Sequence, residues 1–260
     1  MHPIAFKIGS FEVHWYGVFL AIAFLSGIWT AGRRGARDGL APERIVDLTF
    51  WLLVGALVGA RGLYLLTYWR EEAGKPILSI LFQRAGLVFY GGLIGGTVTS
   101  FLYLRARKLA VWKIADALAP SIALGYVFGR MGCLMTGCCY GRPTDVPWAI
   151  HFPKGHETYP LNASAPLAVH PTQIYDAILN LILYGALAWL HRRKKFDGQV
   201  FATYLICYAV TRSVVEVFRG DYKPQYLVGV LTPAHLVSMV ILAAGLLLFW
   251  KLPRVLNRPA

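Results

Sequence analysis

The stretch Gly129 to Arg142, GRMGCLMTGCCYGR, holds more reactive side chains than any other part of the chain. It begins in a run apolar enough to lie in a membrane and places the guanidinium of Arg130 there. Cys133, Cys138, Cys139 and a second guanidinium, Arg142, follow at once. An apolar helix needs none of these for packing, and burying an ionised group in hydrocarbon costs several kcal/mol. The cysteines leave several chemistries open. With His151, His156 or His170 they could ligate zinc, although their spacing is not the usual C-x2-C pair. On an outer face they could form a disulfide. A thiolate beside Arg130 would be more nucleophilic, because a nearby cation lowers a thiol pKa. They could also simply be small residues lining a cavity. Cys207 lies in an apolar run and reads as a small buried hydrophobe.

Further ionisable groups fall within apolar runs. Arg61 and Arg212 join Arg130, and Glu216 reads as the only carboxylate clearly inside a span. Arg212, Glu216 and Arg219 stand at i, i+4 and i+7, so they are expected on one helix face. Arg212 and Glu216 can pair internally and fix helix packing. That leaves Arg130 and Arg61 without an obvious anion, and a phosphate suits the guanidinium fork best.

The elements that must position these groups are membrane helices. The chain has 260 residues, of which 57% are hydrophobic and only 15% charged, well below the charge content of soluble domains. Seven apolar runs are legible, at about 15–31, 48–68, 86–104, 117–134, 172–190, 200–218 and 227–250. The predicted fold is therefore all-α, a single integral membrane domain over 1–260 with a long loop at about 135–171. The net charge of +13 does not point to nucleic acid, because its placement sets topology instead. Arg33, Arg34, Arg37 and Arg44 follow the first run, and Arg105, Arg107, Lys108 and Lys113 the third. Arg192 to Lys195 follow the fifth, and Lys251, Arg254 and Arg258 the seventh. The positive-inside rule then puts the N-terminus outside, the C-terminus in the cytoplasm and the 135–171 loop near the outer face. The first run has no basic leader and cleavage site, so it is expected to be a retained helix.

Three weaker signals accompany these. Tyr90-Gly91-Gly92-Leu93-Ile94-Gly95-Gly96 carries glycines four apart, which usually means close packing of membrane helices. They would also let a lipid approach the backbone. Tyr16, after Trp15, fits an interfacial anchor. His170-Pro171-Thr172-Gln173-Ile174-Tyr175 reads as a helix start with Thr172 as an N-cap-like residue.

Taken together, these stretches resemble the bacterial phosphatidylglycerol–prolipoprotein diacylglyceryl transferases, in order and over nearly the whole chain. The residues that carry the resemblance are His14-Trp15-Tyr16-Gly17, Arg61-Gly62, Phe89 to Gly95, and Gly129-Arg130-Met131-Gly132 continuing to Gly141-Arg142. His170 to Tyr175 and Arg212 to Arg219 complete it. The resemblance implies a multi-pass enzyme of the bacterial inner membrane. Its partners would be phosphatidylglycerol, prolipoprotein signal sequences and membrane lipid, and it implies no cofactor, metal or nucleic acid. The diacylglyceryl group would move to a cysteine thiol, forming a thioether and releasing glycerol phosphate.

On this footing Arg130, Arg212, Glu216, Tyr16 and Tyr90 are the expected catalytic residues. Arg130, Arg61, Arg219, Gly91, Gly92, Gly141, Gln173, Tyr175, Cys133 and Cys138 would line the substrate site. The chain departs from the family pattern at three places. Cys133 stands where an Asn is usual, Cys138 where a Glu is usual and Tyr90 where a His is usual, so the base is unassigned. Two other classes fit the same scaffold: a thiol, disulfide or metal enzyme working through Cys133, Cys138 and Cys139, and a phospholipid-binding protein without catalysis.

Overall fold

A computed structural model describes residues 3–9, 11–72, 88–151, 168–220 and 232–256. Its architecture is helical, as the apolar runs require. The long helices are α1 (Trp15–Arg37), α2 (Pro42–Thr67), α3 (Phe89–Ala106), α4 (Val111–Thr136), α5 (Thr172–His191), α6 (Gln199–Phe218) and α7 (Pro233–Leu256). Six are long and apolar enough to cross a membrane; the glycine- and threonine-containing α3 is not among them. A four-residue helix (Trp69–Glu72) and two short antiparallel pairs accompany them: β1 (Ile4–Ile8) with β2 (Phe11–His14), and β3 (Ile150–His151) with β4 (Ala168–Val169). Outward-facing apolar side chains such as Leu66 at 80% exposure and Val240 at 69% suit a protein whose solvent is hydrocarbon. This is a multi-pass membrane protein.

Several boundaries move from the sequence expectation. Helix α1 continues to Arg37, so Arg34 is not a loop cation. It is buried, donating from Nη2 to Ser121 Oγ (2.8 Å) and from Nε to the Ala117 carbonyl (3.3 Å). The apolar face of α1 carries it there, and the hydroxyl and carbonyl of α4 replace its water. Helix α4 starts earlier than expected, at Val111. His156, Gly86, Leu227 and Arg258 lie outside the described residues.

The chain forms two compact units, one made of residues up to Arg34 together with those from Ala115 onward, the other of Gly35–Ile114. In the second, the glycine stripe brings α2 and α3 into backbone contact. A Cβ on Gly59 would come 2.3 Å from the Gly91 carbonyl, and one on Gly95 would come 2.2 Å from the Gly55 carbonyl. Gly91 thus packs on Gly59, the close helix contact of small residues. Arg61 is buried in this unit, with its guanidinium 5.6 Å from the Tyr64 ring centroid.

The first unit has a core of Ala119, Ala123, Leu183, Leu187, Val200 and Tyr204, and half-buried Cys207 packs against it. Asp116, fully buried on α4, holds the start of α6. Its carboxylate accepts from the Gly198 amide (2.9 Å), the Phe201 amide (3.0 Å) and Lys194 Nζ (3.2 Å). Amides at a helix start have no partner within the helix, and a carboxylate there also meets the positive end of the dipole.

Candidate functional site

The site in the first unit is built where α4 ends and α5 begins. Arg130, 9% exposed, lies on the last turns of α4. Its Nη2 donates to the Tyr126 hydroxyl one turn earlier (2.5 Å) and pairs with Asp176 Oδ2 on α5 (2.8 Å). This corrects two expectations: Glu216 is not the only carboxylate within a span, and Arg130 does have an anion. Asp176 escapes notice in the sequence because it follows Pro171, Thr172 and Gln173, a polar opening that reads as a helix start. The structure puts it at 2% exposure, on the inward face with Gln173 and Asn180.

On α6, Arg212 Nη1 pairs with Glu216 Oε2 at 2.6 Å. Glu216 is buried and also accepts from Thr232 Oγ1 (3.1 Å), which lies 2.9 Å from His235 Nδ1. Thr232 and His235 had no sequence signal, since they precede or open an ordinary apolar helix. Arg219 follows the last helical residue of α6, with extended backbone, bridged to Gly141. Even so, Asp176 interacts electrostatically with Arg130, Arg212 and Arg219 together. The arginines converge, although Arg130 and Arg212 each have a carboxylate of their own.

The cysteine stretch follows from how α4 stops. Gly137 has a left-handed backbone (φ 81°), and the amides of Gly137 and Cys138 both return to the Cys133 carbonyl, at 2.8 and 3.1 Å. This glycine-terminated helix end brings the side chain just past the turn back over the one in the preceding turn. Here those two residues are Cys138 and Cys133. Cys139 is itself left-handed (φ 63°), a conformation uncommon outside glycine. The three sulfurs lie within 4.8 Å of one another, and all are free thiols. Hydrogen bonds from Cys133 and Cys138, and the charges of Arg130 and Arg219, hold the Cys139 thiol well below the usual thiol range.

The start of α5 fixes this loop. Gln173 Nε2 donates to the Cys138 carbonyl and Thr172 Oγ1 to the Cys139 carbonyl, each at 2.7 Å. Thr172 therefore does not cap α5; Pro171 is the N-cap residue, and the hydroxyl serves the cysteine loop instead. Beyond it, Gly141 and Arg142 run between two short segments. Their amides donate to the carbonyls of His170 (2.9 Å) and Phe218 (2.8 Å). A Cβ on Gly141 would stand 2.5 Å from His170 Cβ, so only glycine fits. Tyr175 packs with His170 and Phe218, and its hydroxyl accepts from Trp148 Nε1 (2.7 Å).

Tyr16, 45% exposed at the start of α1, belongs to this site. It packs on Gly132 and lies within electrostatic reach of the three cysteines and Arg130. Tyr90, 65% exposed, belongs with Gly91, Gly92 and Arg61 to the Gly35–Ile114 unit. Arg130 Nε, Gln173 Oε1 and Asn180 Oδ1 are buried and meet no hydrogen-bond partner among the described residues.

A family model described as prolipoprotein diacylglyceryl transferase matches residues 3–251. The chain belongs to the prolipoprotein diacylglyceryl transferase family. Curated relatives agree along its length. It is 34% identical to a protein of Synechococcus elongatus named phosphatidylglycerol–prolipoprotein diacylglyceryl transferase, over 95% of this chain and 86% of that one. It is 32% identical to one of the same name from Clostridium tetani, over 96% and 97%. A third, from Nitratidesulfovibrio vulgaris, is 33% identical over 99% and 94%. The family resemblance carried by the motifs is therefore upheld, and the chain is a transferase.

Proposed function

We propose that this chain transfers the diacylglyceryl group of phosphatidylglycerol to the signal-sequence cysteine thiol of a prolipoprotein. A thioether forms and glycerol phosphate leaves. The observation that carries this reading is the convergence of Arg130, Arg212 and Arg219 on the carboxylates Asp176 and Glu216. Three guanidiniums acting on one carboxylate make an arginine-rich site matched to a phosphodiester. Their field also favours the charge that develops on the phosphate as the ester bond breaks. The unpartnered buried atoms fit the same ligand: Arg130 Nε can donate to a phosphate oxygen, and Gln173 Oε1 and Asn180 Oδ1 can accept from glycerol hydroxyls.

In this reading Arg130 and Arg212 hold the phosphate, Asp176 and Glu216 orient them, and Arg219 adds field. Tyr16 contacts the head group or the acceptor thiol. Tyr90 and Arg61, with Gly91 and Gly92, serve as further substrate contacts, and Gly141 and Tyr175 shape the segments around the cysteine loop. The protein is one domain of the bacterial inner membrane with seven spans, its N-terminus outside and its C-terminus in the cytoplasm. Complementation of a strain lacking the transferase tests the activity, with mass spectrometry of one lipoprotein as the readout. Gain of a diacylglyceryl group on its cysteine is the expected result; an unmodified lipoprotein despite normal expression contradicts it.

A further inference from the structure

We infer that Cys133, Cys138 and Cys139 hold a zinc ion whose fourth position takes the sulfur of the acceptor cysteine. The identity of that fourth ligand rests on the transfer reading above, whereas the ion rests on the geometry of the loop. Three thiolates about 2.3 Å from one zinc stand roughly 4 Å apart. The three sulfurs already lie within 4.8 Å of one another, so rotamer adjustments of less than about an ångström complete the set. The spacing that looked wrong for zinc in the sequence is explained by the helix end: Gly137 folds Cys138 back over Cys133, and the left-handed Cys139 turns the third thiol the same way. A left-handed non-glycine residue persists only where its surroundings enforce it. Here Thr172 and Gln173 do so, by gripping the carbonyls of Cys139 and Cys138.

Soft thiolates select zinc over magnesium or calcium. Three protein ligands with one open position are the arrangement of a catalytic zinc rather than a structural one. Among the described residues, no fourth His, Cys or carboxylate joins the cluster. Such an ion supplies a direct means of ionising the acceptor thiol. The acceptor thiol must lose its proton, but arginines cannot accept one, and Asp176 and Glu216 are each engaged by an arginine. A thiol that coordinates zinc is deprotonated outright, and its proton passes to solvent. The zinc-bound sulfur then uses a lone pair to form the C–S bond to the terminal diacylglyceryl carbon. The C–O bond from that carbon to the phosphate breaks, and its electron pair leaves on the phosphate oxygen of glycerol phosphate. Zinc stays divalent, and no oxidant or reductant is consumed.

The test uses the purified full chain, kept reduced in detergent. Zinc content is measured first, then cobalt is substituted and its thiolate charge-transfer absorption recorded with a cysteine peptide and with its serine counterpart. One metal per chain is expected, with a cobalt spectrum that responds only to the cysteine peptide. Cys133→Ser, Cys138→Ser and Cys139→Ser should each weaken metal binding at least tenfold, while Cys207→Ser leaves it unchanged. Chelation of the wild-type protein, which needs no variant, should abolish thioether formation, and zinc should restore it. A reduced wild-type protein that gives no thiolate–cobalt absorption overturns the inference. So does a cobalt spectrum indifferent to the cysteine peptide, or undiminished thioether formation by stripped protein; in that last case the transfer reading still stands. Cysteine-dependent metal with a peptide-responsive spectrum but no thioether product supports the metal site and removes the transfer reading instead.

Discussion

At the scale of single residues, the site depends on charges that cannot be removed one at a time. Arg130 and Asp176 form a buried pair at 2.8 Å, and deleting one partner of such a pair leaves the other uncompensated. Asp176→Ala is expected to destabilise the protein by about 3–5 kcal/mol, read as a lowered thermal unfolding temperature in detergent. Arg130→Lys keeps the charge but loses the planar fork, including the buried Nε left over once Nη2 has met Tyr126 and Asp176, and transfer should fall by about a hundredfold or more in a lipid-transfer assay. Retained activity in Arg130→Lys would mean that charge alone suffices. Much of this layer was legible in the sequence. An ionised group in an apolar run stands out by its type, so Arg130, Arg212 and Glu216 were found. Asp176 was not, because polar neighbours at the head of α5 masked it. Nor was the role of Tyr126, whose hydroxyl only the helical spacing to Arg130 reveals.

At the scale of elements, glycines decide which helix contacts and helix ends exist. A side chain on Gly95 would strike the Gly55 carbonyl, whereas Gly185, on α5, has nothing within 4 Å of a built Cβ. Gly95→Leu should prevent recovery of folded protein, while Gly185→Ala should be neutral or stabilise by up to about 1 kcal/mol. Size-exclusion profiles and unfolding temperatures separate the two outcomes. Gly137→Ala strains the left-handed turn that ends α4, at a cost of about 1 kcal/mol or more, and should loosen the three-thiol cluster with it. The packing role of the glycine stripe could be read from its spacing alone. The cysteine cluster could not, because C-x4-C-C resembles no ligand spacing until the helix end is in place. The role of Thr172 was misread for a related reason: a threonine at a helix start looks like a cap, and only the tertiary structure supplies the Cys139 carbonyl as its partner.

At the scale of the whole molecule, the apolar runs locate the seven long helices, with several ends displaced by about six residues. The largest difference is at Arg34, which sequence counts as a topogenic loop cation and the structure buries against Ser121. The orientation proposed above puts the N-terminus outside. Exposed sites test this directly: a cysteine placed at Asp145 should react with a membrane-impermeant maleimide on intact cells, and one at Lys195 only after permeabilisation. The opposite pattern would invert the topology.

The central claim is that the arginine-rich site holds a phospholipid head group while its acyl-bearing half moves to a thiol. The most direct measurement reconstitutes the purified chain in vesicles of phosphatidylglycerol with a lipoprotein signal peptide, followed by mass spectrometry of the peptide. A mass gain of one diacylglyceryl group is predicted, on the cysteine peptide and not on its serine counterpart, and absent with Arg130→Ala. Equal modification by Arg130→Ala, or none by the wild-type protein, would contradict the account.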